Sequence, residues 1–318
     1  MMGDEIREFL GEDWLQYQEN LSAILASDIE LLDSINRYIL SNNGKQIRPT
    51  LCLLASRACG GSCLEAVQCA VAMELLHTAT LLHDDVVDGA DTRRGKATVG
   101  ALYTPKDAVL IGDYWLAKAT DVLVRCCGKP VLSAFSNCLA ELTSGEVIQK
   151  EKSLSMDTNY ESYISIISKK TASLFRTAVF SGAYSSGADE VSLAALDDYA
   201  LNLGLAFQMR DDILDYSPAA VTGKPSGQDI RERKITLPLL EAFKTASDTE
   251  KAGVLQMVRE GKVEQVTSFV IEHKGIEGAQ KVLRDVSGKA VSALRPIAEG
   301  KAKEYLGNLA LKLAERAV

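Results

Sequence analysis

The chain has 318 residues, of which 47% are hydrophobic and 25% are charged, so it is long and apolar enough to bury a large core. Its net charge of −8 argues against a nucleic-acid-binding protein, and no apolar run approaches the roughly 20 residues of a membrane-spanning helix. The seven cysteines form no CxxC pair and lie among apolar residues, which indicates reduced, buried thiols. The acidic N-terminus lacks the features of a secretory signal. We therefore expect a soluble, cytoplasmic protein.

Apolar residues recur at spacings of three and four along the chain, which is typical of amphipathic helices, and alternating strand patterns are absent. The first helical segment covers residues 4–40 and ends at Asn42-Asn43-Gly44. Further helices are predicted at 49–60, 64–88, 106–127, 130–154, 160–185, 191–217, 235–246, 248–258, 260–275, 276–289 and 292–316. The two long loops, 89–105 and 218–234, each follow an aspartate cluster. We predict one all-α domain over residues 1–318, a helical bundle of ten or more helices.

Three aspartates, Asp84, Asp85 and Asp88, interrupt the apolar run near the end of a predicted helix. Asp84 and Asp88 lie one turn apart on the same face, where like charges destabilise a helix unless a cation compensates them. Mg²⁺ prefers carboxylate oxygens and leaves positions for substrate phosphates, and Arg93 and Arg94 follow directly. The pattern indicates a metal–diphosphate site, although a solvated acidic helix end followed by a basic loop would contain the same residues.

The DDxxD spacing returns in AFQMRDDILDY, where the flanking residues are too apolar for a solvated helix face. Two such helices facing each other across a bundle would hold several Mg²⁺ ions between them. Basic residues accompany both clusters and favour an anionic substrate: Lys45 and Arg48 at a helix start, Lys170 before Thr171 in KKTASLF, and Lys224 and Lys234 in the second loop. His77 lies two turns before Asp84 on the same face, within reach of such a pocket, although a lone helical histidine is more often a hydrogen-bonded core residue.

Seven segments resemble, in order, the motifs of the trans-isoprenyl (polyprenyl) diphosphate synthases: GKQIRP, ELLHTATLLHDDVVDGADTRRGK, GDYWLAKA, SGEVIQ, KKTASLF, GLAFQMRDDILDY and GKPSGQDIRERKITLPL. The resemblance runs from about residue 40 to the C-terminal EYLGNLALKLAERA. It implies an isoprenoid-synthase fold with helices around a central cavity, and a homodimer. It also implies Mg²⁺-dependent, head-to-tail condensation of isopentenyl diphosphate with an allylic primer such as farnesyl or geranylgeranyl diphosphate.

The resemblance also implies roles for particular residues. Six aspartates would bind Mg²⁺, with three ions expected in each active site: Asp84, Asp85, Asp88, Asp211, Asp212 and Asp215. The allylic diphosphate would contact Arg93, Lys170, Lys224 and Lys234, while Thr171 and Gln208 would place oxygen dipoles beside the developing allylic cation. Isopentenyl diphosphate would bind Lys45, Arg48, His77 and Arg94. Membrane contact would be at most transient, for product release.

Product length is expected to depend on the residues below the first motif. Ala79 and Thr80 are small where this family places bulky aromatics to stop growth at short products, and the motif has no two-residue insertion. The chain therefore resembles medium- and long-chain synthases, such as those that make quinone side chains, with Phe135 as a candidate floor of the hydrocarbon tunnel. The departures from the family pattern are Gln46 and Arg233, which replace a basic residue and a glycine.

Three other functions stay open. A short-chain geranylgeranyl diphosphate synthase would share every motif. A class I terpene cyclase also ionises allylic diphosphates, but it generally lacks a second DDxxD and needs no separate pocket for isopentenyl diphosphate. A non-catalytic partner subunit is expected to have lost aspartates, and here both clusters are intact.

Overall fold

The structure is a computed structural model that describes residues 2–42, 44–217 and 226–315. Helices make up nearly all of this part of the chain, and its strands form one two-residue hairpin, so the predicted all-α class is confirmed. Contacts divide the chain into two compact units, one formed by Met1–Ser136, Thr177–Ala194 and Ile297–Lys303, the other by Asn137–Arg176, Ala195–Pro296 and Glu304–Val318. The single domain over residues 1–318 stays a prediction.

The N-terminal segment forms three helices, whereas its apolar spacing predicts one. They are α1 (Met2–Leu10), α2 (Glu12–Leu25) and α3 (Glu30–Ser41). The first break falls at Gly11, whose φ of 52° lies in the left-handed region that glycine adopts without a steric penalty. The apolar face continues across that break, because Leu10, Tyr17 and Leu21 are all buried.

The rest of the first unit is organised around one long helix. In chain order its elements are α4 (Ile47–Cys59), α5 (Leu64–Val87), β1 (Thr92–Arg93), β2 (Lys96–Ala97), α6 (Val99–Leu102) and α7 (Pro105–Cys126), and α8 (Lys129–Ser155) follows. Helices α2, α4 and α7 pack against α5, whose start is capped by the Cys63 thiol accepting from the Ala66 N–H. The predicted helix 64–88 is thereby confirmed. Because α5 is largely buried, each polar side chain on it needs a partner other than bulk water.

The segment predicted as a loop over 89–105 contains a hairpin and the short helix α6. The strands pair Thr92 with Ala97 and Arg93 with Lys96. Arg94 and Gly95 form the turn with φ of 53° and 75°, the left-handed pair that tight hairpins require. Two-residue strands are too short to show an alternating pattern, which is why sequence periodicity misses them. The two arginines after the first aspartate cluster are therefore held by a hairpin.

The second unit takes in most of the chain after α8. Its further elements are α9 (Tyr160–Ile167), a π-helical turn (Ser168–Ala172), α10 (Ser173–Ser185), α11 (Glu190–Asp215), α12 (Gln228–Arg231), α13 (Leu237–Phe243), α14 (Asp248–Arg259), α15 (Val263–Glu272), α16 (Gly275–Ala293) and α17 (Lys301–Glu315). Of these, α10 ends in the first unit, and α11 and α17 begin there. The helix predicted over 160–185 is thus continuous but contains a π turn. The predicted start of the last helix at residue 292 is wrong, because Pro296 lacks the N–H that would continue a helix.

All seven cysteines are free, as predicted. Cys52, Cys69 and Cys138 are buried, but Cys126 at the end of α7 is exposed, so the expectation of burial is wrong for that residue. The thiols of Cys69 and Cys127 lie 3.4 Å apart, which is hydrogen-bonding distance for sulfur. Among the helices that the structure describes, none is both long and apolar enough to cross a membrane.

Candidate active site

The first aspartate cluster lies at the C-terminal end of α5. Asp85 is buried, and the Arg93 guanidinium donates a hydrogen bond from Nε to its Oδ1 at 2.6 Å. Burial raises the pKa of Asp85, and the contact with Arg93 offsets part of that rise. Asp84 is partly exposed and Asp88, the C-cap residue, is exposed. Asp85 is therefore bound to an arginine, and the two carboxylates that share a helix face both have exposed surface.

Three of the four residues predicted to bind isopentenyl diphosphate lie together in the first unit. The Arg48 guanidinium donates from Nη1 to Nε2 of His77 at 3.1 Å. Burial, together with the charges of Arg48, Arg94 and Arg93, holds the pKa of His77 well below its usual value. Because an arginine can only donate, the neutral imidazole accepts at Nε2 and carries its proton on Nδ1. The result is a compact cationic group in which the histidine contributes no charge.

Arg94 reaches the loop that precedes α4. A β-carbon on Gly44 would lie 2.0 Å from Nη1 of Arg94, so only glycine leaves space for this guanidinium. Lys45 follows Gly44 and is exposed. Gln46, at φ 51°, is buried and donates its side-chain amide to the Tyr17 hydroxyl at 2.9 Å. Gln46, which departs from the family pattern, therefore has a structural role. The motif GKQIRP also contributes Lys45 and Arg48 to the same end of the first unit.

Glu74 completes this group, and sequence reasoning missed it. It is 5% exposed, and burial raises its pKa to about 7 although Arg48 and Arg94 act in the opposite direction. Its Oε2 makes no hydrogen bond to any residue that the structure describes. The signal that could have found it is a single carboxylate within the apolar run AVAMELL.

The second aspartate cluster lies at the end of α11, and its members have different surroundings. Asp211 is exposed. Asp212 is 3% exposed and accepts hydrogen bonds from the Tyr163 hydroxyl at 2.6 Å and from the Gln208 amide at 2.9 Å. Burial raises its pKa to about 6 against the effect of both bonds. Asp215 accepts from the backbone N–H groups of residues 228 and 229 at 3.0 Å each, which stabilises the start of α12.

The π turn presents Lys170 and Thr171 beside this cluster. The Thr171 hydroxyl donates to Oε1 of Gln208 at 2.7 Å, and Lys170 forms an ion pair with Glu146. Extra-residue turns of this kind are frequent at functional sites. All of Lys170, Thr171, Gln208 and Asp212 line a cavity of about 100 Å³. These four predicted residues of the second unit are thus brought together.

The segment after the second cluster is described only from residue 226 onward. Lys224, predicted to contact the allylic diphosphate, lies outside the described residues. Lys234 lines the same cavity and forms an ion pair with Glu232. Asp229 also lines it, and burial, together with the charges of Asp212 and Asp215, raises its pKa well above the usual value. Glu146, Tyr163, Asp229 and Glu232 are the residues of this region that sequence reasoning missed.

The residues predicted to set product length belong to the first unit. Ala79 is buried on α5, Thr80 is partly exposed and donates its hydroxyl to the His77 carbonyl at 2.8 Å, and Phe135 on α8 is 2% exposed. Because Ala79 and Thr80 have small side chains, this face of α5 carries little side-chain bulk at their level. Their effect on chain length stays a prediction.

The sequence of this site matches a known family. A family model described as polyprenyl synthetase matches residues 29–272, which is more than half of the chain. The chain belongs to the polyprenyl synthetase family. The match includes both aspartate clusters, the basic group around His77 and the π turn.

Individual relatives agree with this membership. The octaprenyl diphosphate synthase of Haemophilus influenzae is 35% identical over 98% of this polyprenyl synthetase chain and 97% of its own. A decaprenyl diphosphate synthase from Rhodobacter capsulatus superimposes with a TM-score of 0.94 at 31% identity, covering 99% of both chains. A polyprenyl synthase from Caulobacter crescentus, solved with calcium and isoprenyl diphosphate, gives a TM-score of 0.91 at 31% identity over 99% of this chain and 98% of its own.

The donor atoms of the polyprenyl synthetase site suit a divalent metal that is bound together with a phosphate ligand. Within residues 2–42, 44–217 and 226–315, no three His, Cys, Asp or Glu side chains form a group that could hold a metal ion. Mg²⁺ usually takes one or two carboxylates and completes its shell with water and substrate phosphates. In the first unit, Asp84 and Asp88 provide hard oxygen donors with exposed surface, and in the second unit Asp211 does so.

Proposed function

We propose that this polyprenyl synthetase family member is an all-trans polyprenyl diphosphate synthase, which extends a prenyl chain by adding isopentenyl diphosphate to an allylic diphosphate. The observation that carries the proposal is the arrangement on α5. His77, which Arg48 of α4 contacts, lies two turns before Asp84 on this helix. A basic group suits one diphosphate, and a carboxylate pair that binds metal suits a second. In the proposal, the first unit therefore contacts both diphosphates.

The metal in this proposal is Mg²⁺, with three ions in each active site. The proposed direct ligands are Asp84, which is partly exposed, and Asp88, which is exposed, in the first unit, and exposed Asp211 in the second unit. Asp85, Asp212 and Asp215, the other three predicted ligands, accept hydrogen bonds from protein groups, and in the proposal they also orient those groups. When bound, the metal supplies positive charge that stabilises diphosphate as a leaving group.

The predicted residues have different roles in the reaction, according to the charge of the group that each one contacts. Arg93, Lys170, Lys224 and Lys234 contact the allylic diphosphate, whose carbon–oxygen bond breaks with the electron pair remaining on the oxygen. The oxygens of Thr171 and Gln208 stabilise the resulting allylic cation. Lys45, Arg48, His77 and Arg94 hold isopentenyl diphosphate, whose double bond attacks the cation, and a proton is then lost to the departed diphosphate. Exclusion of water protects the cation from hydrolysis.

The product in this proposal is a medium- or long-chain prenyl diphosphate. Support comes from the small residues Ala79 and Thr80, which leave room for a chain to grow past the first motif, and Phe135 is the proposed floor. Replacing Phe135 with alanine is expected to lengthen the product. We also propose that the enzyme acts in the cytoplasm as a homodimer, because its seven thiols are free and apolar side chains such as Val109 and Leu110 are exposed on α7.

The test is incubation of the protein with labelled isopentenyl diphosphate, farnesyl diphosphate and Mg²⁺, with the products separated by length. A product of about six or more isoprene units is expected for an enzyme with small residues below its first motif. A product that stops at four units would make the chain a short-chain synthase. No elongation by the folded protein would favour a cyclase or a partner subunit.

The role of the accessible carboxylates is tested by Asp84→Ala. Because this carboxylate is a proposed metal ligand, its removal is expected to abolish Mg²⁺-dependent turnover while the circular dichroism spectrum stays unchanged. The matched control is Asp121→Ala, which removes an exposed carboxylate on α7 that forms an ion pair with Arg125. Activity close to wild type in Asp84→Ala would contradict the metal role.

A further inference from the structure

Four side chains of the second unit form one continuous hydrogen-bonded series. The Tyr163 hydroxyl donates to Oδ2 of Asp212 at 2.6 Å, and the Gln208 amide donates to Oδ1 of the same carboxylate at 2.9 Å. The Thr171 hydroxyl then donates to Oε1 of Gln208 at 2.7 Å. The series joins α9, α11 and the π turn. Its far end is the pair of oxygens that the proposed function places beside the allylic cation.

The direction of every bond follows from the chemistry of the acceptor. An ionised carboxylate can only accept, so the Gln208 amide must turn its NH₂ group toward Asp212 and its oxygen toward Thr171. Thr171 has one hydroxyl proton, which it donates to that oxygen, so both lone pairs of its own oxygen are left for a cation. If the amide rotated by half a turn, its NH₂ group would face Thr171, and the hydroxyl proton would turn away. The series therefore determines which end of the Gln208 amide and of the Thr171 hydroxyl, oxygen or hydrogen, is presented to the cation.

Burial makes the first member of the series important. Tyr163 and Asp212 are each 3% exposed, so loss of the phenolic hydroxyl would remove a hydrogen bond from a carboxylate that has little contact with bulk water. Asp212 has only these two side-chain hydrogen bonds among the described residues. Without Tyr163, the carboxylate would have one donor and more freedom to rotate away from Gln208.

We propose that Tyr163 is a positioning residue for prenyl transfer: through Asp212 it fixes the orientation of the Gln208 amide and the Thr171 hydroxyl, so that oxygen lone pairs face the allylic cation. This inference rests on the proposed function. It assigns Tyr163 no contact with the reacting carbons, because its hydroxyl is occupied by Asp212. Its effect is therefore expected on the rate of ionisation and not on the binding of either diphosphate.

The test is Tyr163→Phe, which removes the hydroxyl and keeps the ring. Its single-turnover rate with farnesyl diphosphate is expected to fall by at least about tenfold, because dipoles that stabilise the transition state lose their orientation. The KM values for both diphosphates should stay within about twofold of wild type, since the groups that bind them are unchanged. Single-turnover conditions exclude product release as the limiting step.

Two tyrosines provide matched controls. Tyr160→Phe alters the neighbouring tyrosine of α9, whose ring lies 6.5 Å from that of Tyr163, and it should leave the single-turnover rate unchanged. Tyr199→Phe removes another buried hydroxyl, which donates to the Leu306 carbonyl at 2.7 Å. It should lower the unfolding temperature without lowering the rate, which separates lost stability from lost positioning.

A double variant identifies the route of the effect. If Tyr163 acts through Gln208, adding Tyr163→Phe to Gln208→Ala should cause no further loss of rate, whereas independent effects would multiply. The inference is overturned if Tyr163→Phe matches Tyr160→Phe, or if the two losses multiply in the double variant. Absence of prenyl transfer by the wild-type protein would instead contradict the proposed function itself.

Discussion

Glu74 lies in an environment that conflicts with its ordinary chemistry. It is buried on α5 beside Arg48 and Arg94, and burial raises its pKa from the ordinary 4.5 to about 7. The folded chain therefore holds this proton more tightly than the unfolded chain does. The stability that the protonated form contributes is fully present below pH 4.5 and is lost as the pH rises through about 7.

Glu74→Gln measures this contribution, because glutamine has the shape of the protonated acid and does not ionise. Between pH 4.5 and 8 the wild-type unfolding free energy should fall by about 3 kcal/mol more than that of the variant. Chemical denaturation at several pH values provides the measurement, with exposed Glu5→Gln as control. Parallel pH profiles for wild type and Glu74→Gln would show that the carboxyl group titrates normally.

Individual residues were predictable where their partners are close in sequence or where charge stands out against an apolar run. Arg48, His77 and Arg94 were expected to act together, and the structure places them in one group. Tyr163 could not be found, because its partner Asp212 is distant in the chain and a lone tyrosine on an apolar helix usually belongs to the core. Arg233 adopts a φ of 58°, in the left-handed region that glycine enters without a steric penalty. The glycine that the family pattern places at this position would suit that conformation.

At the scale of elements, the π turn at Ser168–Ala172 depends on a close approach by α11. A β-carbon on Gly204 would lie 2.5 Å from Cα of Ala172, which no side chain allows without movement. Gly145 on α8 meets the same turn, since its β-carbon would lie 3.0 Å from the backbone nitrogen of Lys170. Two glycines therefore determine where Lys170 and Thr171 lie.

Gly204→Ala is expected to destabilise the protein by about 1–3 kcal/mol, because the added methyl must displace backbone. It should also lower prenyl transfer through the displaced Thr171. The matched control is Gly253→Ala on α14, where a β-carbon would meet nothing within 4 Å and the better helix propensity should stabilise by up to about 1 kcal/mol. Thermal unfolding and turnover of both variants provide the comparison. Equal effects of the two substitutions would show that the close approach of α11 to the π turn does not cause the loss of stability.

Elements were predicted best where apolar periodicity was long and uninterrupted. The helices expected at 64–88 and 191–217 occur as Leu64–Val87 and Glu190–Asp215. The π turn was missed because a single turn is too short to show in a pattern of apolar spacing. The break at Gly11 was missed because the apolar face continues on both sides of it.

For the whole molecule, the exposed apolar residues at the start of α7 predict self-association. Leu110 is 64% exposed and Val109 is 39% exposed, next to exposed Leu102. Light scattering should therefore give twice the mass of the chain, and Leu110→Lys should shift the protein toward a single chain, because a buried unpaired charge opposes association. Ile271→Lys, at a 56% exposed position on α15, serves as control. A wild-type mass equal to one chain would contradict the predicted homodimer.

Helix α5 has a consequence for repeated elongation. His77 and Asp84 are seven residues apart on one uninterrupted helix, which sets their separation along its axis at about 10 Å. Under the proposed function, one contact to each diphosphate is then made from the same rigid helix. Every cycle of addition begins from the same geometry, whatever the length of the prenyl group already made. The geometry at the reacting ends does not depend on how many units have been added. Product length must therefore be determined by the residues that contact the hydrocarbon tail.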